Sequence, residues 1–199
     1  MFSYRSLEYL LGFDKVLPVT EKWSAAADFL KIISDYCMEN KPQNIVECSS
    51  GTSSLVLSQC CRTNQHGHVY SLENGKEFVN QTREQLADFS LTEFCDVLHA
   101  SLKTVSISDE AFQWYDYSDL PDIQIDLLVV DGPPGFIQKH SRYPALPLLF
   151  DRLARHCTIF MDDAGRDDEQ EIIKRWLKVY PGFQFDYISN ERGCAILRR

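Results

Sequence analysis

The 199-residue sequence lacks several features that would place it at once. No apolar run approaches the roughly 20 residues that cross a bilayer, so no membrane partner is expected. The opening stretch MFSYRSLEYLLGFDK carries no signal-peptide pattern, which makes the cytoplasm the expected compartment. Repeats, low-complexity tracts and Pro/Gly/Ser linkers are missing, so a single domain over residues 1–199 is expected, with 1–40 as an N-terminal helical cap or lid. Basic residues are scarce: 20 Lys and Arg stand against 29 Asp and Glu, a net charge of −9. From Thr104 to Gln138 there are seven acids and no Lys or Arg. Nucleic-acid backbones are neutralised by basic side chains, so this balance argues against such a partner. Seven cysteines occur without one C-x-x-C pair, and stretches such as IVECSS, EFCDVL and GCAIL suit buried reduced thiols better than zinc or disulfides. Neither a G-x-G-x-x-G nor a Gly-Lys-Ser/Thr loop is present, so nothing is arranged for a pyrophosphate.

What is present is a regular alternation of elements. In TEKWSAAADFLKIISDYCMEN, Ala26, Phe29, Leu30, Ile33 and Cys37 recur at helical spacing, and Lys41-Pro42 ends the run. Trp23 falls just inside this expected helix, either as part of a lid or as core. NIVEC, HVYSLE, FCDVLHA, IDLLVVDGPPG and CTIFMDDA read as short buried strands. Between them GTSSLVLSQCC, EFVNQTREQLADF and PALPLLFDRLARH read as helices, followed by DEQEIIKRWLKVY. FQFDYIS and CAILRR, joined by NERG, read as an antiparallel hairpin. The pattern predicts an α/β fold with a mostly parallel sheet covered on both faces. Such sheets bind ligands beyond the carboxyl ends of their strands.

Those ends are acidic. The first strand ends in Glu47, before Cys48-Ser49-Ser50-Gly51-Thr52-Ser53, and the second ends in Glu73, 22 residues beyond Gly51. That separation suits an acid facing a ribose diol, so the pair reads as a nucleoside site without a phosphate clamp, or as a plain turn and a capping Glu. Asp131 and Asp162-Asp163 end two later strands. Converging carboxylates need a positive charge between them, and magnesium or calcium is one candidate. Simple helix capping is the other reading.

IVECSSGTSSL, VYSLEN, IDLLVVDGPPG and IFMDDA, in this order, resemble the class I S-adenosylmethionine-dependent methyltransferases. Trp114-Tyr115-Asp116, Val130 to Gly135, Arg142 to Leu149 and Asp162 to Glu169 resemble a small bacterial type. The resemblance implies a Rossmann-like seven-strand sheet, mostly parallel, with a C-terminal antiparallel hairpin and helices on both faces. It implies S-adenosylmethionine as cofactor, with Glu47, Ser49 and Gly51 lining its methionine and ribose, Glu73 on the ribose hydroxyls, Ser101 bordering the adenine, and Asp131 beside it. Ser49 departs from the glycine usual there, and HASL lacks the acid that many relatives place after the third strand. Asp131, Asp162 and Asp163 resemble the Mg2+ or Ca2+ ligands of metal-dependent O-methyltransferases. Where that subgroup has its lysine base this chain has Pro134, so Asp131, His140 and Lys139 are the candidate catalytic groups. Trp114, Tyr115, Arg142, Tyr143 and Arg166 are the expected acceptor contacts, the acceptor being a small molecule or sugar methylated on oxygen. A homo-oligomer is compatible with the sequence. N-methylation, a non-catalytic cofactor-binding module and a nicotinamide-dependent oxidoreductase are the alternatives.

Overall fold

A computed structural model describes residues 2–21 and 23–199. A short helix α1 (Tyr4–Leu11) is followed by α2 (Ala27–Asn40), β1 (Asn44–Cys48), α3 (Thr52–Asn64), β2 (His68–Glu73), α4 (Lys76–Asp88) and β3 (Cys95–His99). Next come β4 (Leu102–Ile107), β5 (Glu110–Tyr115), β6 (Ile125–Val130), α5 (Ala145–Leu149), β7 (Leu153–Met161), α6 (Asp167–Val179), β8 (Gln184–Ile188) and β9 (Cys194–Arg198). Seven strands form the main sheet in the order β3-β2-β1-β6-β7-β9-β8. Pairing is parallel up to β7, and β9 runs antiparallel to both β7 and β8. The sheet expected from the sequence is therefore the sheet observed. β1 lies between β2 and β6, where the strand order reverses, and a crevice opens at such a point.

Each face of the sheet carries its own apolar core. Ile45, Leu127, Val129 and Phe160 pack with Phe29, Leu30 and Ile33 of α2 and Leu55 to Leu57 of α3. Val46, Leu128, Val130 and Ile159 point the other way, onto Trp114, Leu146, Leu149, Ile172 and Trp176. Alternation along β1 and β6 separates the two sets, as the period of two requires. All seven cysteines are free and buried. Among the described residues no helix is long and apolar enough to cross a membrane.

Several boundaries differ from the sequence reading. α2 begins at Ala27, and Trp23 stands before it in a turn, exposed. The β4–β5 hairpin was not anticipated, and α1 was covered only by the general expectation of helix within residues 1–40. Both are short and flanked by polar residues, and the hairpin forms a separate two-stranded sheet of its own. PALPLLFDRLARH is helical only in its first part: α5 is followed by a 3-10 turn over Phe150–Arg152, and Leu153 onward joins β7, pairing through Thr158 to Met161 with both β6 and β9.

The antiparallel return of β9 sets the turn before it against the end of β7. Ala164 N–H donates to Gly193 O and Gly165 N–H to Arg192 O, each at 2.9 Å. Gly193 has φ of 80°, and a Cβ there would lie 2.4 Å from Gly165 N. Gly193→Ala combines left-handed strain with a backbone clash and should cost about 2–3 kcal/mol, read as a lower urea midpoint at unchanged slope.

Candidate active site

The first turn past β1 shapes a cavity of about 160 Å³ whose walls include Ser49 to Ser53, Thr82 and Gln85 of α4, and Pro18, Thr20 and Trp23 from the N-terminal segment. Gly51, with φ of 142°, takes a conformation that L side chains rarely adopt, and a Cβ on it would meet no atom within 4 Å. Ser49 also has a positive φ, 106°. Glu73 is only 6% exposed and lies behind this wall: its Oε2 accepts from the Ser50 N–H at 3.1 Å and Ser50 Oγ at 3.2 Å, and its Oε1 from the Gly75 N–H at 2.8 Å. Burial raises its pKa against the pull of those donors.

A second cavity, about 250 Å³, adjoins the first and shares Trp23, Ser49 and Asp131 with it. Asp131 continues the ladder beyond β6, its N–H donating to Cys48 O, and Asp162 does the same beyond β7 onto Val130 O. Oxygens of Asp131, Asp162 and Asp163 lie within 4.8 Å of one another. The positive charge such a group needs is already there. The Arg142 side chain is 3% exposed, with Nη2 at 3.2 Å from Asp131 Oδ1 and 2.8 Å from Asp163 Oδ2. It also donates to the backbone oxygens of Asp162 and Asp131. Burial raises the pKa of Asp131 and, more strongly, of Asp162, neither of whose carboxylate oxygens has a hydrogen-bond partner.

Residues 46–164 match the family model described as "Methyltransferase domain", and this span is more than half of the chain. The chain belongs to this methyltransferase family. No curated protein matches its sequence. Among solved structures, it is similar to a putative caffeoyl-CoA O-methyltransferase from Staphylococcus aureus, with TM-score 0.65 and 16% identity over 98% of this chain and 92% of that one. A SAH-bound methyltransferase from Podospora anserina gives 0.67 and 15%, over 98% and 87%. An O-methyltransferase from Streptomyces achromogenes in complex with SAM gives 0.64 and 10%, over 100% and 99%. The common ground with these is the class I S-adenosylmethionine-dependent methyltransferase fold.

The methyltransferase domain brings Ser49, Gly51, Asp131, Arg142, Asp163 and Arg166 to the two cavities, and leaves other expected residues away from them. Glu47 is buried beneath α3, accepting from Ser53 Oγ at 2.7 Å and from the hydroxyls of Ser54 and Ser71, so it anchors the turn and does not line the cavity. Ser101 is exposed beyond β3 and off both walls. Trp114, Tyr115 and Tyr143 are buried; β5 turns the first two into the core, and Arg175 covers the Tyr143 ring at 3.9 Å. Lys139 pairs with Glu171 at 2.9 Å, and His140 Nε2 lies 2.8 Å from the same carboxylate, so both turn toward α6 and not toward Asp131. Arg142 is the counter-ion inside the acid cluster. Because its guanidinium lies against Asp131 and Asp163, these donors do not fit a hard divalent cation as they stand. Phe136 and Arg192 line the second cavity without having been anticipated. Antiparallel pairing of β9 with β7 was the signal for Arg192, since the turn preceding β9 must then reach the end of β7.

Two measurements follow from this arrangement. Arg142→Met removes the counter-ion and should cost about 3–5 kcal/mol near neutral pH, with a smaller penalty in acid, where the carboxyls protonate. Magnesium or calcium should leave the melting temperature of the native protein unchanged; stabilisation abolished by Asp162→Asn would mean a metal does displace the arginine. Burial also pushes the Glu47 carboxyl up to about 7. A folded-state pKa above the unfolded value gives stability that is present below about pH 4.3 and is lost as pH rises through 7. Relative to Glu47→Gln, the native protein should therefore lose up to about 3 kcal/mol between acid and mildly alkaline pH, read by urea melts across that range.

Proposed function

We propose that the protein transfers a methyl group from S-adenosylmethionine to an oxygen of a small molecule or sugar. The observation that carries this reading is the meeting of two cavities at one carboxylate, Asp131, beyond the switch point of the sheet. Two substrates must meet end to end for methyl transfer, and alignment supplies most of the catalysis. The cavity beside α3 and α4 is the cofactor side. Its wall offers hydroxyls and backbone from Ser49 to Ser53 and no phosphate clamp, with the Asp131 carboxylate on its lining. A sulfonium cation without phosphates suits that donor set. Ser49 and Gly51 let the chain approach the cofactor closely, and Glu73, oriented by Ser50 and Gly75, is the carboxylate for the ribose hydroxyls. We take the chain as a single domain in which Pro18, Thr20 and Trp23 cap this cavity, while α2 packs onto the sheet as core.

When bound, the cofactor supplies the methyl group and departs as S-adenosylhomocysteine. The residues of the chain hold the acceptor and move its proton. Arg142 fixes Asp131 through Oδ1, which leaves Oδ2 to accept the hydroxyl proton as the oxygen lone pair forms the new C–O bond. Held beside Ser49, Gly51 and Glu73, the cofactor would supply the methyl group with the C–S electron pair staying on sulfur, so that charge would be lost on transfer.

Thermal-shift and calorimetric titration with S-adenosylmethionine, S-adenosylhomocysteine and NAD test this. The first two should stabilise the protein, and NAD alone should not. Glu73→Ala should weaken the adenosyl ligands about 10- to 100-fold, the worth of a charge-assisted hydrogen bond. Asp131→Asn should lower kcat about 100-fold or more with little change in cofactor affinity. Stabilisation by NAD in place of the adenosyl ligands would overturn the reading.

A further inference from the structure

The second cavity has a chemistry of its own, distinct from the acidic character of the chain. Its charged walls are Asp131 and Asp163 against Arg142, Arg166 and Arg192, a surplus of one positive charge in a protein of net −9. Arg142 is spent on the two carboxylates. Arg166, half exposed, lies 2.8 Å from Asp163 Oδ1. Arg192 is partly buried, and among the described residues no carboxylate oxygen pairs with it, although its backbone is fixed by the Gly165 N–H. Across the mouth stand two large rings, Trp23 at 63% exposure and Phe136 at 78%, in edge contact with centroids 6.2 Å apart. They come from the cap and from the turn after β6, and both line the cavity. Exposed aromatic rings beside an unpaired guanidinium are costly to leave in water and useful against a flat, negatively charged molecule.

Building on the methyl-transfer reading, we propose that the acceptor is a single-ring hydroxylated anion. Its ring packs on Trp23 and Phe136, its carboxylate or phosphate pairs with Arg192 at the inner wall, and its hydroxyl faces Asp131. At about 250 Å³ the cavity is of a size for a small molecule. The guanidinium wall selects the anion.

Tryptophan fluorescence reads the site directly, because Trp114 and Trp176 are fully buried while Trp23 is exposed at the mouth. The full chain is titrated, with and without saturating S-adenosylhomocysteine, with para-hydroxybenzoate, para-hydroxyphenyl phosphate, the methyl ester of the first, and a hydroxylated aliphatic acid of similar length. One or both ring anions should bind and shift the Trp23 signal, the better one showing which anion is taken. The ester and the aliphatic acid should bind at least about 10-fold more weakly. Arg192→Gln should erase the advantage of acid over ester, and Phe136→Ala, a substitution at an exposed loop position, should weaken ring compounds of both kinds. Equal binding of acid and ester, indifference to Arg192→Gln, or no binding of any ring anion would overturn the proposal. Ring-anion binding without any response to S-adenosylhomocysteine would support this pocket and overturn methyl transfer instead.

Discussion

The buried guanidinium of Arg142 is the contact on which the cleft depends. Parallel strands that end side by side bring their next residues together, and here those residues are Asp131, Asp162 and Asp163. Three carboxylates out of water would drive the ends of β6 and β7 apart or force protons onto the acids. Arg142 answers two of them with a planar fork that reaches the Asp131 and Asp163 side chains and two backbone oxygens at once, leaving the Asp162 carboxyl without a partner. It also ties the loop before α5 to the floor of the cleft, so the loop, the strand ends and the catalytic candidate share one electrostatic constraint. Lysine, with a single charged nitrogen, could not replace that fork.

A second buried carboxylate works differently. Glu47 faces no cation; serine hydroxyls surround it and fasten the start of α3 to β1 and β2. The turn it supports carries positive φ at Ser49 and Gly51. One acid therefore holds the proposed cofactor side of the cleft in shape, and Arg142 holds the proposed acceptor side.

Most of the fold was legible because it rests on periodicity. Buried strands such as IVECS and IDLLVV and the apolar face of α2 read correctly from spacing alone, and so did the terminal hairpin. The end of PALPLLFDRLARH did not, because Leu153 to Met161 gains its extended form from pairing with β6 and β9, which local sequence does not record. The site was legible in its acids and less so in their uses. Carboxylates at strand ends can be located from the chain, but whether they face a cavity, a ring of hydroxyls or an arginine depends on which side chain arrives from elsewhere. Trp114 and Tyr115 looked like contacts for a ligand because aromatic residues suit both surfaces, and the unanticipated β4–β5 hairpin turned them inward. Phe136 and Arg192 went unnoticed because turns carry little periodic signal.

The antiparallel return of β9 has an evolutionary consequence. The proposed cofactor side of the cleft is lined mainly by residues between Pro18 and Gln85, while the turn after β6 and the turn between β8 and β9 contribute to the proposed acceptor side. Connections of this kind tolerate changes of sequence more easily than the strands they join. New acceptor preferences can thus arise by exchanging a few residues around Phe136 and Arg192, with the methyl-donor machinery inherited intact.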